Sequence, residues 1–554
     1  MSKRYSRELG LLVLGLDGAA LDMIDPLIEQ GRLPHLARLK REGASGKLRS
    51  TLPPVTAAAW STFMTGLNPA KHGIFQWRTY DPTQYTNLDE HVVTADRLAG
   101  RAFWDLLGQA GFRVGVITVP VTYPTWAVNG YMISGYPCPD TQRNYTYPAE
   151  WGQSLAQSYN LSVDHYLRAS DGEILTRGVE MLRRRTDLAL DLARKGEIDV
   201  CVLVLGAIDR AQHDFFKYRD RRFRAFHAAP PSLRDAIDRH YEVADEQVGR
   251  LVEALAPDGV ALVVSDHGGG PHPLRLFHPN AWLRTRGWLV TRDGGSVSPA
   301  GALRRGIQAL RGWLPLEDRL RRALPAAIVS RARSYTLNIA DIDWPRTAAY
   351  RFPMYHPAEG IEINLKGRQP QGCVQAGAEY EGLVMKIMKG LRDVRDPVTD
   401  EQIVEGVYRK EEIYNGPFVE IAPDIVFVCR QSHRTGVESA GQIATLVNLD
   451  DLRKDNGVHT MDGILFAYGQ HIQRGQEITG ARLIDIAPTV LHLAGLPVPK
   501  EMDGRVLTEI LTEERAALPV EYVETGGWQA EHVTLTPEEE SDMLDKLRGM
   551  GYVD

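Results

Sequence analysis

The stretch Leu11-Leu12-Val13-Leu14-Gly15-Leu16-Asp17-Gly18 is an apolar run that stops on a carboxylate. The pattern returns twice. Val200-Cys201-Val202-Leu203-Val204-Leu205 leads through Gly206-Ala207-Ile208 to Asp209, and Val260-Ala261-Leu262-Val263-Val264-Ser265 ends at Asp266. Continuous runs of valine and leucine, without polar alternation, are the pattern of parallel strands covered on both faces. In an open α/β sheet, ligands bind beyond the carboxyl ends of the strands. Three aspartates at three such ends therefore converge on one site. Further strand candidates lie at 113–119, 361–365 and 424–429, with helical patterns at 173–193 and 232–255. The alternation predicts an α/β fold, a doubly wound and mostly parallel central sheet flanked by helices, with helical insertions.

The bulk properties agree with an enzyme of that class. A chain of 554 residues is too long for one ordinary core unless that core is a large sheet with insertions. Apolar residues make up 43% and charged residues 24%, the balance of a globular enzyme. The net charge of −7 speaks against nucleic acid as a partner. Cys138, Cys201, Cys373 and Cys429 are far apart and form no Cys-x-x-Cys pair. That spacing fits a reducing compartment and excludes a thiolate zinc site. The run after Lys3, Arg4 and Arg7 is too short for a signal-peptide core, and no apolar segment is long enough to span a bilayer. The expectation is a cytoplasmic protein.

The chain divides into a first core part at 8–298, with cap insertions at about 78–112 and 137–195, and a second core part at 346–510. Between them, 299–345 reads as an arginine-rich helical insertion. The polar, acidic tail at 511–554 ends in a helical pattern around Leu544, Leu547 and Met550.

Pro53 and Pro54 interrupt regular structure, and an alanine-rich helix follows with Thr56 expected at its N-cap. A helix start offers free N–H groups and a positive dipole end to a phosphate oxygen, although a threonine there can simply be a cap. What distinguishes Thr56 is its company. Asp209 and His213 are four apart, on one face of a helical turn. Asp266 and His267 are adjacent just past a strand, Asp17 ends the first strand, and His459 precedes the strand-like 464–466. Hard carboxylates mixed with imidazoles suit zinc, with manganese as the other candidate, rather than calcium. His72 reads as a packing residue, and His272 and His278 as surface-loop residues. Lys217, Arg219, Arg221, Arg222 and Arg224 read as a solvated helix face, the alternative being a basic lip for an anionic substrate.

With these motifs in order, the sequence resembles the alkaline phosphatase superfamily. Within it, the chain is similar to the type I phosphodiesterase/nucleotide pyrophosphatase group and its predicted phosphohydrolase/phosphomutase branch. The resemblance spans roughly 10–510. It is carried by Leu-Gly-Leu-Asp-Gly at 14–18, by Thr56 followed by Met64-Thr65-Gly66-Leu67-Asn68-Pro69, and by Lys71-His72-Gly73-Ile74. It continues through Val119-Pro120-Val121-Thr122-Tyr123-Pro124, Ser265-Asp266-His267-Gly268 and Asp485-Ile486-Ala487-Pro488-Thr489. It implies two divalent metal ions, one held by Asp209, His213 and His459, the other by Asp17, Thr56, Asp266 and His267. It also implies hydrolysis of a small-molecule phosphate ester through a covalent intermediate on Thr56.

One departure stands out. Trp77 occupies the position where nucleotide pyrophosphatases carry a phosphate-contacting asparagine. Sulfatases are excluded, because Thr56-Ala57-Ala58-Ala59-Trp60 lacks their cysteine or serine with following proline and arginine. Thr56 also argues against phosphoglycerate mutases, which use serine. Two alternatives share these residues: a phosphotransferase or phosphomutase using the same intermediate, and a catalytically silent metal-binding protein. The second predicts a missing ligand, and none is missing.

Overall fold

The computed structural model describes residues 10–79, 81, 83–85, 91–139, 144–152, 155, 169–195, 198–292, 342–436, 442–449, 452, 456–525 and 535–550. Most of the expected insertion at 299–345 therefore lies outside the described residues.

The centre is a mixed, mostly parallel sheet of nine strands. In chain order these are β1 (Leu11–Leu16), β2 (Ala44–Arg49), β3 (Val114–Val119), β4 (Gly130–Ser134), β5 (Thr146–Tyr147), β6 (Val200–Leu205) and β7 (Val260–Val264). After the short β8 (Gly268–Pro271) and β9 (Gly457–Thr460), which pair with each other, come β10 (Asp462–Gly469) and β11 (Gln476–Arg482). The spatial order is β11-β2-β10-β7-β1-β6-β3-β4-β5. The five neighbours from β7 to β4 run parallel, β5 is antiparallel to β4, and β10 is antiparallel to both β7 and β2.

The pleat explains why the decisive strands carry no polar residue. In β1, Leu11 and Val13 enter one apolar cluster, while Leu12, Leu14 and Leu16 enter another on the opposite face. The first face is covered by α1 (Thr56–Thr65) and the helix Phe103–Gln109. The second is covered by α2 (Asp171–Lys195), α3 (Ala207–Arg219) and α4 (Ala236–Leu255). Later in the chain, α5 (Ile486–Leu493) and α6 (Pro537–Met550) join the first face, where Met543 and Leu547 are fully buried. Each such apolar side chain contributes roughly 1.5–3 kcal/mol of burial, so alternation would be penalised on either face.

Two of the expected strands belong elsewhere. The patterns at 361–365 and 424–429 fall in Ala358–Ile363 and Ile425–Cys429, which sit in a separate four-stranded antiparallel sheet with Ala349–Phe352 and Val404–Arg409. The reason is physical. Ile425–Cys429 is buried throughout, because Ile425 and Phe427 pack against the helix Ala378–Asp393, while Val426 joins Ala70, Phe75 and Phe352 on the other face. A strand covered on both faces has the same apolar run whether its neighbours are parallel or antiparallel.

Candidate active site

Register brings the three strand ends to one level. Leu16 lies opposite Leu205, and Gly15 lies opposite Val264. Asp17 leaves β1 and Asp266 leaves β7 close by. β6 turns within one residue into α3, whose first turn carries Asp209 and whose next turn carries His213. Beside them on α3, the buried Arg210 and Asp214 pair at 2.6 Å. His459 is delivered from the far end of the chain by β9, where it stands opposite Gly269 of β8. His267 immediately precedes β8.

Thr56 is placed differently from the expectation. Val55, extended at φ −106°, is the N-cap, and Thr56 is the first helical residue of α1. Its hydroxyl is therefore released from capping, and Oγ1 lies 3.4 Å from His267 Nε2. Ala59 is the first residue of α1 whose N–H returns to a helix carbonyl, that of Val55. The N–H groups of the first turn are left for an external acceptor.

All seven expected residues are buried and meet at this point. His213 Nε2 is 3.3 Å from Asp209 Oδ1, and His459 Nε2 is 3.4 Å from the same oxygen. The two histidines face each other at 3.1 Å through their Nε2 atoms. His267 Nε2 is 3.3 Å from Asp266 Oδ2 and 3.6 Å from Asp17 Oδ1. The His267 and His459 rings stack with centroids 3.5 Å apart. Ligand atoms of Asp17, Asp266 and His267 lie within 4.8 Å of one another, as do those of Asp209, His267 and His459. His267 thus stands between the two halves of the site.

The imidazoles are oriented by backbone carbonyls. A carbonyl only accepts, so His267 donates Nδ1–H to Gly268 O at 3.0 Å and His459 donates Nδ1–H to Pro54 O at 2.8 Å. Both rings then present an Nε2 lone pair to the site. Burial and the charge of Asp209 push the Asp17 carboxyl up to about 8. Burial together with Asp17 and Asp209 raises Asp266 well above the usual range. Burial also opposes the charge of Asp209, but the neighbouring His213 and His459 outweigh it and hold Asp209 low. Burial and His459 keep His267 neutral far below its usual value.

Three carboxylates packed this closely repel one another unless positive charge or protons sit among them. Asp17 Oδ1 and Asp266 Oδ2 are buried with no hydrogen-bond partner among the described residues. Unsatisfied carboxylate oxygens beside outward Nε2 lone pairs are the donor set of a divalent metal centre. The residues present therefore fit the metals that the sequence implies.

Several supporting residues carry no sequence signature. Trp60 donates Nε1–H to Asp17 Oδ2 at 3.1 Å. The Gly18 N–H reaches Asp266 Oδ1 at 3.3 Å. The Asn456 N–H reaches His213 O at 2.9 Å, tying β9 to α3. Beside His459 opens a cavity of about 640 Å³, walled by Leu21, Met23, Phe216, His356 and Val458 and reached by Arg222. Of the basic run, Arg219 also lines it but pairs with Asp238, and Arg222 pairs with Asp220. His72 is fully buried, bonded to Thr62 Oγ1, and burial lowers it to about 3, a packing role. His272 and His278 are also buried rather than on a surface loop. Trp77 is 1% exposed and packs edge-on against Tyr136 in the core. Gln76 is bonded to Pro353 O.

Residues 11–459 match the type I phosphodiesterase / nucleotide pyrophosphatase family. The chain belongs to this family. It is a phosphoric ester hydrolase, of a superfamily that depends on metals. Among curated proteins no match is found. Similar solved structures include murine ectonucleotide pyrophosphatase/phosphodiesterase 5, in an inactive form in complex with AMP. It is 13% identical, with a TM-score of 0.48, over 91% of this chain and 100% of that one. Phosphonoacetate hydrolase from Sinorhizobium meliloti, in complex with phosphonoformate, is 15% identical, with a TM-score of 0.49, over 88% of this chain and 95% of that one. A mutant of alkaline phosphatase PafA is 14% identical, with a TM-score of 0.46, over 91% of this chain and 99% of that one. No helix among the described residues is long and apolar enough to cross a membrane.

Proposed function

We propose that the protein hydrolyses phosphate esters by transferring the phosphoryl group to Thr56 and then to water. The observation that carries this reading is the Thr56 hydroxyl, free of capping and 3.4 Å from His267 Nε2 inside a ring of six buried ligand side chains. Asp209, His213 and His459 would hold one divalent ion, and Asp17, Asp266 and His267 a second beside the Thr56 oxygen, zinc being preferred and manganese the alternative. Bound there, the ions supply Lewis-acid charge that lowers the proton affinity of the Thr56 hydroxyl and stabilises the departing oxygen.

The chain's own groups do the rest. The Thr56 oxygen attacks phosphorus in line, the ester P–O bond breaks, and the alcohol leaves with a proton. The first-turn N–H groups of α1 hold a non-bridging oxygen as negative charge gathers on it. The buried walls of the site exclude bulk water, so these dipoles act at low dielectric. Water then attacks the phosphorus on Thr56 from the opposite side, restoring the hydroxyl and releasing phosphate from a monoester or the remaining monoester from a diester. Positioning and charge stabilisation account for nearly all of such catalysis.

The test is turnover of bis-p-nitrophenyl phosphate and p-nitrophenyl phosphate before and after chelation, then after adding back Zn²⁺ or Mn²⁺. Activity that disappears with chelation and returns with metal supports the reading. Activity indifferent to chelation would sink it.

A further inference from the structure

Gln212 lies between the two residues of α3 that face the site, three positions after Asp209 and one before His213. It is 2% exposed, yet no step above uses it. Its Nε2 donates to Gly18 O at 2.7 Å. A carbonyl cannot donate, so this bond fixes which end of the amide is nitrogen, and the whole amide group lies against β8. There the fit is tight: a Cβ at Gly269 would stand 2.4 Å from Gln212 Oε1 and 2.5 Å from both Cδ and Nε2. Gly269 is also the residue paired with His459.

Gly18 closes the circuit, because its N–H holds Asp266 while its C=O holds Gln212. One side chain of the helix that carries Asp209 and His213 thus touches the backbone of two other elements: the loop after Asp17 and the strand that pairs with His459. These elements meet only in the folded chain, since Gly18 and Gln212 are 194 positions apart.

We propose that Gln212 is a positioning residue that sets the spacing between the two halves of the metal centre. It acts through Gly18, holding the Asp17–Asp266 side at a fixed distance from the Asp209–His213 side. A glycine at 269 is required because any side chain there would displace the amide. This inference rests on the metal-centre reading above.

The test uses Gln212→Met, which keeps the volume and removes the donor, and Gly269→Ala, which keeps the donor and pushes it aside. Metal uptake is read by calorimetric titration of Zn²⁺ into the metal-free full-length protein, and ligand geometry by the visible spectrum of the Co²⁺-loaded form. We expect both variants to bind Zn²⁺ about 10-fold more weakly and to shift the Co²⁺ spectrum. At saturating metal their kcat should fall about 10-fold or more, with KM little changed. Measured against the single variants Gln212→Ala and Gly269→Ala, the losses in the double variant Gln212→Ala/Gly269→Ala should not add, because the second change has nothing left to displace.

A wild-type protein that takes up no Zn²⁺ overturns both this proposal and the function above. Wild-type uptake of two ions, matched in affinity, spectrum and kcat by Gln212→Met, overturns this proposal alone. So does a loss of kcat with an unchanged spectrum, or full additivity in the double variant.

Discussion

Trp60 Nε1 and Asp17 Oδ2 are joined by a hydrogen bond of 3.1 Å, and Trp60 stands one helical turn after Thr56. The contact locks the helix that carries Thr56, the proposed nucleophile, to the strand end that carries Asp17, a proposed metal ligand. It is made feasible by Gly15, where a Cβ would lie 2.3 Å from the Trp60 ring. The far edge of the ring therefore lies against β1, and its N–H reaches the aspartate.

Replacing Trp60 by Phe keeps most of the packing and removes the donor. The buried Asp17 carboxylate then loses its hydrogen bond, at a cost of about 1–3 kcal/mol in stability. Loss of an outer partner of a metal ligand typically lowers metal affinity or activity about 10–100-fold. Urea unfolding of the metal-free variant measures the first effect, and kcat/KM at saturating metal the second. A Trp60→Phe protein with wild-type activity would show that the bond does not orient Asp17.

The acid sensitivity of the fold should be traceable to Asp396. Its carboxylate is fully buried and is bonded by Arg275, by His433 Nε2 at 3.0 Å and by the Val398 N–H at 2.8 Å. Burial opposes its charge, but the Val398 N–H, His433 and Arg275 outweigh it and bring the group from 3.8 to about 2. A carboxylate with a lowered pKa stabilises the fold above its unfolded value, and that stability is lost as pH falls through the folded one. The contribution is about 2 kcal/mol at neutral pH and vanishes between roughly pH 4 and pH 2. In Asp396→Asn, the stability gap from wild type should therefore narrow by about that amount over this window in denaturant titrations. A constant gap would contradict the linkage.

Metal loading should stabilise the protein strongly, because Asp17 Oδ1 and Asp266 Oδ2 are buried with no hydrogen-bond partner among the described residues. A ligand that binds only the folded state adds about 2.7 kcal/mol at a hundredfold excess over its Kd. The melting temperature should rise with Zn²⁺ or Mn²⁺ concentration in the wild type, and less in Asp266→Asn. A melting temperature independent of both ions would count against the site.

Much of this was legible in the sequence, for identifiable reasons. Strands covered on both faces must be apolar throughout, so β1, β6 and β7 announced themselves, and the aspartates at their ends marked the site. The pairs Asp209–His213 and Asp266–His267 are local and needed only helical or strand geometry. Other features depend on contacts between distant positions. Nothing near Ile425 says that its neighbours run antiparallel, and nothing near His272 says that the chain buries it. Trp60, Gln212 and Asn456 act through hydrogen bonds to residues 43, 194 and 243 positions away. The N-cap expectation at Thr56 missed by one residue, and that one residue separates a hydroxyl spent on the helix from one turned toward His267.

The central claim is that Thr56 takes the phosphoryl group. The most direct measurement is mass spectrometry of the peptide containing Thr56 after acid quench of the metal-loaded enzyme turning over the monoester p-nitrophenyl phosphate. We expect a single phosphoryl increment on Thr56 in the steady state, absent from Thr56→Ala, whose turnover should be lost. An unmodified peptide, together with a Thr56→Ala protein of full activity, would contradict it.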